Sequence, residues 1–189
     1  MPQLYIISGC NGAGKTTASY TILPELLNCK EFVNADEIAR GISPFNAASV
    51  SVEAGRIMLA RIATLMEAGV DFAFETTLAG RAYVKLIRKA QQKGYAVTLI
   101  YFWLNSPELA IGRVARRVAA GGHHIAEDVI RRRYAASIHN LFQLYMKEVD
   151  FWILVDNSTS LLEIVAEGAK NQSNKVMNMS LYKTIESYD

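Results

Sequence analysis

The sequence predicts an α/β protein built as a three-layer sandwich, in which helices cover both faces of a central, mostly parallel sheet of five strands. Short apolar runs alternate with helix-forming stretches through residues 4–155. The run at 95–104 is apolar almost throughout, as expected of a strand that is buried on both faces. A glycine-rich turn joins the first strand to the first helix, at the edge of the sheet where such folds bind ligands.

The individual elements follow from local signals. Strands are predicted where short apolar runs end at turn residues, at 4–8, 31–34, 71–75, 95–104 and 151–155. Helices are predicted between the strands, at 15–27, 48–67, 81–93, 107–120 and 127–147.

In the first half of the chain, Asn34 and Glu37 have the spacing of a capping box. They predict a brief helix after the second strand, and Ser43 and Pro44 end it. The long helix over 48–67 has an apolar stripe formed by Ala54, Met58, Ile62 and Leu65 or Met66. This stripe predicts one face packed against the sheet.

In the second half, Pro107 fits the first turn of a helix that Gly121 and Gly122 interrupt. An interruption at this point suggests a hinge. The helix that follows has its own apolar stripe, formed by Ile130, Tyr134, Ile138, Leu141 and Tyr145.

The signal weakens beyond Asp156. Apolar and polar residues alternate at 176–182, so this segment and 161–166 predict a C-terminal hairpin, with a helix as the alternative at 161–166. We expect one domain over residues 1–157, with residues 158–189 as an extension packed on it.

The composition narrows the class of protein. The 189 residues are 51% apolar and 20% charged, which predicts a folded globular chain. A net charge of +2 does not favour nucleic acid or a membrane surface as a partner. The two cysteines, Cys10 and Cys29, have neither disulfide-scaffold nor zinc-site spacing. No apolar run is long enough to span a bilayer, and we expect a soluble, cytoplasmic protein.

Residues 9–16 have the Walker A pattern GxxxxGK[ST] and lie between the first strand and the first helix. Such a loop wraps its backbone around phosphates, Lys15 reaches the β- and γ-phosphates, and the Thr16 hydroxyl is a candidate magnesium ligand. A glycine-rich turn with a chance match is the alternative. The predicted ATP-binding residues are Gly9, Asn11, Gly12, Ala13, Gly14, Lys15, Thr16 and Thr17.

The remaining motifs favour a small kinase over other P-loop classes. A GTPase needs an NKxD element, which the sequence lacks, and a motor ATPase needs an apolar strand that ends in Asp-Glu. The strand before Asp156 approaches this second pattern, but no glutamate follows it. Asp156 is more simply a turn residue after the last parallel strand.

Three acidic residues are candidates for the acceptor side of the reaction. Asp36 follows the second strand and could accept the proton of an acceptor hydroxyl, with an interaction with the helix dipole as the alternative. Glu75 ends the third strand, where it could bind the acceptor or a metal-bound water, or simply be a solvated strand end. Glu53 is either a site residue or a surface partner of Arg56.

Six of the eleven arginines fall within twenty-one residues: Arg113, Arg116, Arg117, Arg131, Arg132 and Arg133. The first three share a helix face, where like charges repel unless an anion lies between them. With the glycine pair as a hinge, they predict a lid over about residues 113–133 that closes on the triphosphate. A solvated basic face is the alternative. His123 and His124 are then polar lid contacts and not metal ligands.

These motifs, in this order and spacing, resemble the zeta-toxin family of small bacterial kinases. The resemblance rests on the Walker A loop, the segment 33–36, the strand end 74–77 and the block 113–134, and it covers roughly residues 3–157. It implies a P-loop kinase. The toxins of this family phosphorylate the 3′-hydroxyl of the aminosugar in UDP-N-acetylglucosamine.

Carried over by position, the resemblance also implies residue roles. The implied catalytic residues are Asp36, Lys15 and a first lid arginine that matches Arg117 or Arg116. The implied acceptor-binding residues are Glu75, Thr77 and Glu53. The second lid arginine of the family falls at 121–124, where this chain has no arginine. His123 or His124 takes its place, or one of the arginines at 131–133 reaches in.

The sequence therefore predicts a kinase that uses ATP and Mg²⁺ and acts on UDP-N-acetylglucosamine or a related nucleotide sugar, with Asp36 as the general base. The alternatives are a kinase for another metabolite or nucleotide, and a partner-driven P-loop ATPase without a small-molecule acceptor. The resemblance is also compatible with an antitoxin-type inhibitor protein as a partner. The chain is, however, more similar to the stand-alone members of the family.

Overall fold

The structure, a computed structural model, describes residues 1–122 and 124–188 and has the predicted α/β architecture. Within these residues one sheet contains seven strands: β1 (Gln3–Ser8), β2 (Phe32–Val33), β3 (Phe72–Thr76), β4 (Ala96–Trp103), β5 (Phe151–Asp156), β6 (Glu163–Ala169) and β7 (Lys175–Val176). Their order across the sheet is β2, β3, β1, β4, β5, β6, β7. The first five are parallel, whereas β6 and β7 pair antiparallel.

The helices of the described chain are α1 (Lys15–Thr21), α2 (Ala35–Ile42), α3 (Ser51–Ala68), α4 (Tyr83–Gln92), α5 (Pro107–Ala119), α6 (Glu127–Asn140), α7 (Met146–Glu148) and α8 (Met179–Glu186). Two π-helical turns, Ile22–Leu26 and Leu141–Tyr145, extend α1 and α6, and a 3₁₀ turn, Ala47–Val50, leads into α3. None of these helices has the length and apolarity needed to cross a bilayer.

The predicted apolar stripes form the core. In α3 the buried residues are Ala54, Met58, Ile62, Leu65 and Met66. In α6 and the turn after it, the predicted stripe of Ile130, Tyr134, Ile138, Leu141 and Tyr145 is buried throughout. β4, the predicted central strand, is buried along almost its whole length. These periodicity-based predictions are confirmed, because helices and strands of this fold bury one stripe or both faces against their neighbours.

The parallel register brings several loops to one edge of the sheet. β1 lies between β3 and β4, and Ser8 at its end is aligned with Thr76 and Tyr101. The Walker A loop, the start of α2 and the loop after β5 therefore emerge on the same side. This edge holds the residues on which function depends.

The prediction of a five-stranded sheet was wrong. β6 pairs along β5 from Phe151 to Asp156 and buries Val165 and Ala166, so it covers an edge that would otherwise be open. Of the second hairpin strand predicted at 176–182, only Val176 lies in β7. The rest of that segment forms α8, because the Asn178 side chain accepts a hydrogen bond from the N–H of Leu181 and starts a helix.

α5 and α6 contain the arginine-rich segment. Gly121, shortly after the end of α5, has a φ of 86°. An ion pair of 2.5 Å between Arg131 Nη1 and Glu108 Oε1 joins the two helices. His123 lies outside the described residues.

Candidate active site

The Walker A loop leaves the end of β1 and enters α1 at Lys15. Gly9 and Gly12 have φ angles of 135° and 80°. A Cβ atom on Gly9 would lie 2.2 Å from the carbonyl oxygen of Phe102, and one on Gly12 would lie 2.7 Å from that of Ala110. The loop thus passes too close to its neighbours for side chains at these positions. A glycine-lined turn of this kind, at the N-terminus of a helix, is the backbone arrangement that binds phosphates.

Lys15 is held inside this loop. Its Nζ donates a hydrogen bond of 2.9 Å to the carbonyl oxygen of Cys10 and lies 3.6 Å from Oε1 of Glu75. The side chain is 6% exposed, and that of Glu75 is 11% exposed. A carboxylate and a carbonyl oxygen therefore compensate the lysine charge at the floor of the site.

Glu75 connects three elements at the same point. Its Oε2 accepts hydrogen bonds from the Thr16 hydroxyl of α1, at 2.7 Å, and from Nδ2 of Asn34, the last residue before α2, at 2.9 Å. Nδ2 of Asn34 also lies 3.4 Å from Oγ1 of Thr16. The carboxylate at the end of β3 is therefore fixed against the Walker A residues.

The oxygen atoms of Thr16 and Glu75 are suitable ligands for a magnesium ion. Thr16 and Glu75 offer a hydroxyl and a carboxylate oxygen, the hard ligands that Mg²⁺ prefers. In the part of the chain that the structure describes, no group of three or more His, Cys, Asp or Glu side chains could hold a metal alone. Phosphate-associated Mg²⁺ needs only one or two protein ligands besides waters and phosphate oxygens. Thr16 and Glu75 would hold the ion.

A cavity of about 300 Å³ opens above the Walker A loop. Its lining residues are Asn11, Gly12, Gly14, Lys15, Thr16, Thr17, Asp36, Glu75, Arg113 and Arg117. Gly9 and Ala13, which the sequence also predicted as ATP-binding, are buried residues that do not line this cavity. The loop after β5 braces it, since Nδ2 of Asn157 donates to the carbonyl oxygen of Ala13 at 2.8 Å.

A second cavity, of about 400 Å³, adjoins the first. Its walls come from α2, from the turn before α3 and from the turn after α5, and they include Arg40, Phe45, Ser51, Gly122 and His124. Asp36 and Arg117 line both cavities. The side chain of Asp36 is exposed in the first turn of α2 and lies where the two spaces meet.

The predicted arginine cluster is divided. Arg117 is half-buried and lines both cavities, whereas Arg116 is exposed and lines neither. Arg113 lines the first cavity, above the Walker A loop, and donates to the carbonyl oxygen of Ser158 at 3.1 Å. Arg133 reaches the Walker A loop, where its Nη1 donates to Oδ1 of Asn11 at 3.3 Å. The three consecutive arginines thus point in different directions, with Arg131 paired across to α5 and Arg132 exposed.

Two predicted acceptor-binding residues stand apart from these cavities. Glu53 is exposed in the first turn of α3 and lines neither of them. Thr77 is half-buried in the loop after β3 and lines neither of them either. The next residue, Leu78, has a φ of 62° and is fully buried, and Nδ2 of Asn140 donates to its carbonyl oxygen at 3.0 Å. The loop that carries Thr77 is therefore tightly anchored.

Asp156 closes the turn after β5. Its Oδ1 accepts hydrogen bonds from the backbone N–H of Ser158, at 2.8 Å, and from the Ser158 hydroxyl. Asp156 is the last residue of β5 and not a residue of the turn itself, and its side chain holds the turn that follows. The carboxylate beside Lys15 and Thr16 is that of Glu75.

Sequence reasoning missed two asparagines. It assigned Asn34 only to helix capping and gave Asn157 no role, yet both make side-chain hydrogen bonds to the Walker A segment or to Glu75. Each follows a parallel strand directly. Position at the carboxyl end of a strand is the signal that could have identified them.

The Cys10 thiol is an inert part of the loop. Burial raises its pKa to about 11, although Lys15 and Arg113 act in the opposite direction. The thiol is therefore neutral near pH 7 and fills space.

Two sequence comparisons show which known proteins this chain is similar to. The family model for the zeta toxin matches residues 1–164. An uncharacterized protein from Haemophilus influenzae is 31% identical over 126 residues, and the alignment covers 67% of this chain and 88% of that protein.

Solved structures share the fold. A chain in the crystal structure of the AvrRxo1-ORF1:-ORF2 complex with ATP has a TM-score of 0.81 and 18% identity, covering 100% of this chain and 64% of that one. This chain thus spans less than two thirds of its length. A chain of the PezAT chromosomal toxin–antitoxin system of Streptococcus pneumoniae has a TM-score of 0.69 and 16% identity, covering 100% of this chain and 86% of that one.

Proposed function

This chain belongs to the zeta-toxin family, and from that premise we propose that it is a kinase that transfers the γ-phosphoryl group of ATP to a hydroxyl group of a small molecule. The observation that carries the proposal is the position of Asp36 and Arg117, which line both cavities. One cavity is built by the Walker A loop and suits a triphosphate. The other adjoins it and offers room for an acceptor.

On the nucleotide side, the Walker A backbone would bind the phosphates, and Lys15 would exchange its contact with Glu75 for the β- and γ-phosphates. Thr16 and Glu75 would hold magnesium, which neutralises phosphate charge when it is bound. A structural neighbour that was crystallised with ATP supports this choice of nucleotide.

On the acceptor side, a hydroxyl group would approach the γ-phosphorus from the second cavity. The Asp36 carboxylate takes the proton of this hydroxyl as the new O–P bond forms, and the bond to the bridging β–γ oxygen breaks to release ADP. Arg117 neutralises the charge that spreads over the oxygens of the transferring group.

For the acceptor we propose a nucleotide sugar, with UDP-N-acetylglucosamine as the first candidate. The second cavity, at about 400 Å³, is within the size range of small-molecule sites, roughly 300–1,000 Å³. Arg117 offers a guanidinium group to phosphate oxygens, and the exposed ring of Phe45 offers a surface on which a base or sugar can stack. The resemblance of the sequence to the toxins of this family points to the same compound.

The test is a transfer assay with purified protein, ATP and magnesium. UDP-sugars and simple alcohol metabolites are offered one at a time, and mass spectrometry follows each for the gain of one phosphoryl group. We expect UDP-N-acetylglucosamine to gain the group with the wild-type protein and with Glu37→Gln. Asp36→Asn should fail to transfer it, because an amide cannot take the proton.

Glu37 is the matched control, since its carboxylate is adjacent in sequence but lines neither cavity and pairs with Arg40 at 3.2 Å. Full transfer by Asp36→Asn would show that Asp36 is not the general base. Transfer to an alcohol without a uridine diphosphate would replace the proposed acceptor with another metabolite. ATP consumption with every acceptor unmodified would favour an ATPase.

The toxin–antitoxin system among the structural neighbours supports a further part of the proposal, an antitoxin-type inhibitor protein as partner. If the kinase is toxic, expression of the wild-type chain in a bacterium should slow growth and expression of Asp36→Asn should not. Equal growth of the two cultures would count against a toxin.

A further inference from the structure

Asn34 lies between the nucleotide side and the acceptor side of the site. It is the residue before α2, and its side chain is buried. Oδ1 accepts hydrogen bonds from the backbone N–H groups of Asp36, at 2.8 Å, and Glu37, at 3.4 Å. Nδ2 donates to Oε2 of Glu75 at 2.9 Å. One amide group therefore contacts the backbone of the candidate base and the carboxylate beside the Walker A residues.

The two ends of this amide are not interchangeable. Backbone N–H groups require an acceptor, and an ionised carboxylate requires a donor, so the partners fix which end faces which. A serine at this position would keep an acceptor for the cap but would be too short to donate to Glu75. An aspartate would place oxygen against oxygen. Asparagine is suited to both contacts at once.

We infer that Asn34 is a positioning residue that sets Glu75 and Asp36 relative to each other. The inference deepens the proposed function and rests on it. Asn34 lines neither of the two cavities, so it acts through its partners. Its donor end fixes the oxygen of Glu75 that also accepts from Thr16. Its Oδ1 fixes the first turn of α2. Asp36 lies in this turn and lines the cavity proposed for the substrate that is phosphorylated.

The donor end is tested with Asn34→Ser, because serine remains a good helix cap. The affinity of the protein for ATP is measured by titration calorimetry, once with magnesium and once with a chelator. We expect the gain in affinity that magnesium provides to fall about tenfold, since a hydrogen bond to a charged group is lost. The affinity measured with the chelator should change much less.

A double-mutant cycle then asks whether the effect passes through Glu75. In a Glu75→Gln background the charged acceptor is gone, so Asn34→Ser should cause little additional loss of magnesium-dependent affinity. Losses that simply add would overturn the inference. Wild-type magnesium-dependent affinity in Asn34→Ser would overturn it as well.

The acceptor end is tested with Asn34→Ala, which removes the cap in addition to the donor. We expect kcat for phosphoryl transfer to fall a further several-fold below that of Asn34→Ser, with the KM for ATP unchanged between the two variants, because the cap bears on Asp36 and not on the nucleotide. Equal kcat values would overturn this half of the inference.

Asn178 provides a matched control within the chain. It caps α8 by accepting from the N–H of Leu181 at 3.0 Å, and its Nδ2 donates to Oε1 of Glu163 at 2.7 Å. Asn178→Ser and Asn178→Ala thus remove the same kinds of bond away from both cavities. They should lower the melting temperature without changing ATP affinity or kcat, and equal kinetic losses there would reduce Asn34 to a purely structural residue.

The calorimetric cycle needs no acceptor. If the wild-type protein phosphorylates none of the compounds offered, the proposed function fails. The link between Asn34 and Glu75 can still be measured in that case.

Discussion

Arg116 and Arg117 are neighbours in α5, yet only Arg117 lines the two cavities. The sequence could not separate them, because both match the arginine of the family pattern and both lie in the last turn of the helix. The difference arises from packing, since Arg116 is exposed whereas Arg117 is half-buried.

We expect Arg117→Ala to lower kcat for phosphoryl transfer by about 100-fold, since a charged donor to the transferring group is lost. Arg116→Ala should stay within about twofold of wild type, as surface charges contribute little. Steady-state kinetics at saturating ATP measures both. A larger loss in Arg116→Ala than in Arg117→Ala would reverse the assignment.

The two thiols provide a second prediction at this scale. Burial raises the pKa of both Cys10 and Cys29, so thiolate is scarce at neutral pH. The folded protein should react slowly with iodoacetamide at pH 8, and the unfolded chain should take up two groups rapidly. Intact mass over time measures this, and fast single labelling of the folded protein would contradict it.

Some residues of the site could be predicted from local signals and others could not. Lys15 and Thr16 follow from the Walker A pattern, and Asp36 and Glu75 from their places at strand ends. The bonds of Asn34 and Asn157 are between residues far apart in sequence, so only the assembled sheet edge reveals them.

At the scale of elements, the Walker A loop depends on close approach of its backbone. Gly12 and Gly94 have similar φ angles, 80° and 84°, but a Cβ on Gly12 would lie 2.7 Å from the carbonyl oxygen of Ala110, while one on Gly94 would have open space. An alanine at either position strains the backbone, but only an alanine at position 12 also collides with a neighbouring atom. Comparing the two substitutions therefore separates the two effects.

We expect Gly94→Ala to lower the free energy of unfolding by about 1 kcal/mol and to leave ATP affinity unchanged. Gly12→Ala should lower stability further and abolish ATP binding, because the loop must move. Chemical denaturation and calorimetry measure the two effects. Wild-type ATP affinity in Gly12→Ala would show that the Walker A loop does not depend on this close approach.

The helices and parallel strands could be predicted because each carries its own periodicity, as in the stripe of α3 and the apolar run of β4. The C-terminal segment was harder. β6 owes its place to antiparallel pairing with β5, and β7 to antiparallel pairing with β6. The cap at Asn178 starts α8 in a segment with an alternating pattern. Strand formation at such positions depends more on packing against the neighbouring strand than on the intrinsic propensity of the segment.

At the scale of the whole molecule, we propose that residues 158–189 form part of a single folded unit with residues 1–157. β6 covers β5, Ile185 of α8 is buried, and Arg113 is bound to the carbonyl oxygen of Ser158. A chain that ends at residue 157 exposes the β5 edge and should aggregate or melt at a lower temperature. Size-exclusion chromatography and thermal unfolding test this, and a monomeric 1–157 chain of wild-type stability would contradict it.

Stability should also decline at alkaline pH. Burial raises the pKa of Cys10 from 9.0 to about 11 and that of Tyr145 from 10.0 to about 12. Because the folded state keeps both groups neutral, their contribution to the free energy of unfolding is complete below about pH 9 and is lost as the pH rises through 11 and 12. Urea unfolding across this range measures the decline, and constant stability up to pH 12 would contradict it.

The central claim is that ATP and the acceptor meet at Asp36. Transfer of ³²P from γ-labelled ATP to UDP-N-acetylglucosamine tests it most directly, in single-turnover reactions of the wild-type protein and Asp36→Asn. We predict label in the sugar nucleotide with wild type and a rate about 100-fold to 10,000-fold lower in Asp36→Asn, at equal ATP affinity. Equal rates of label transfer by the two proteins would contradict the account.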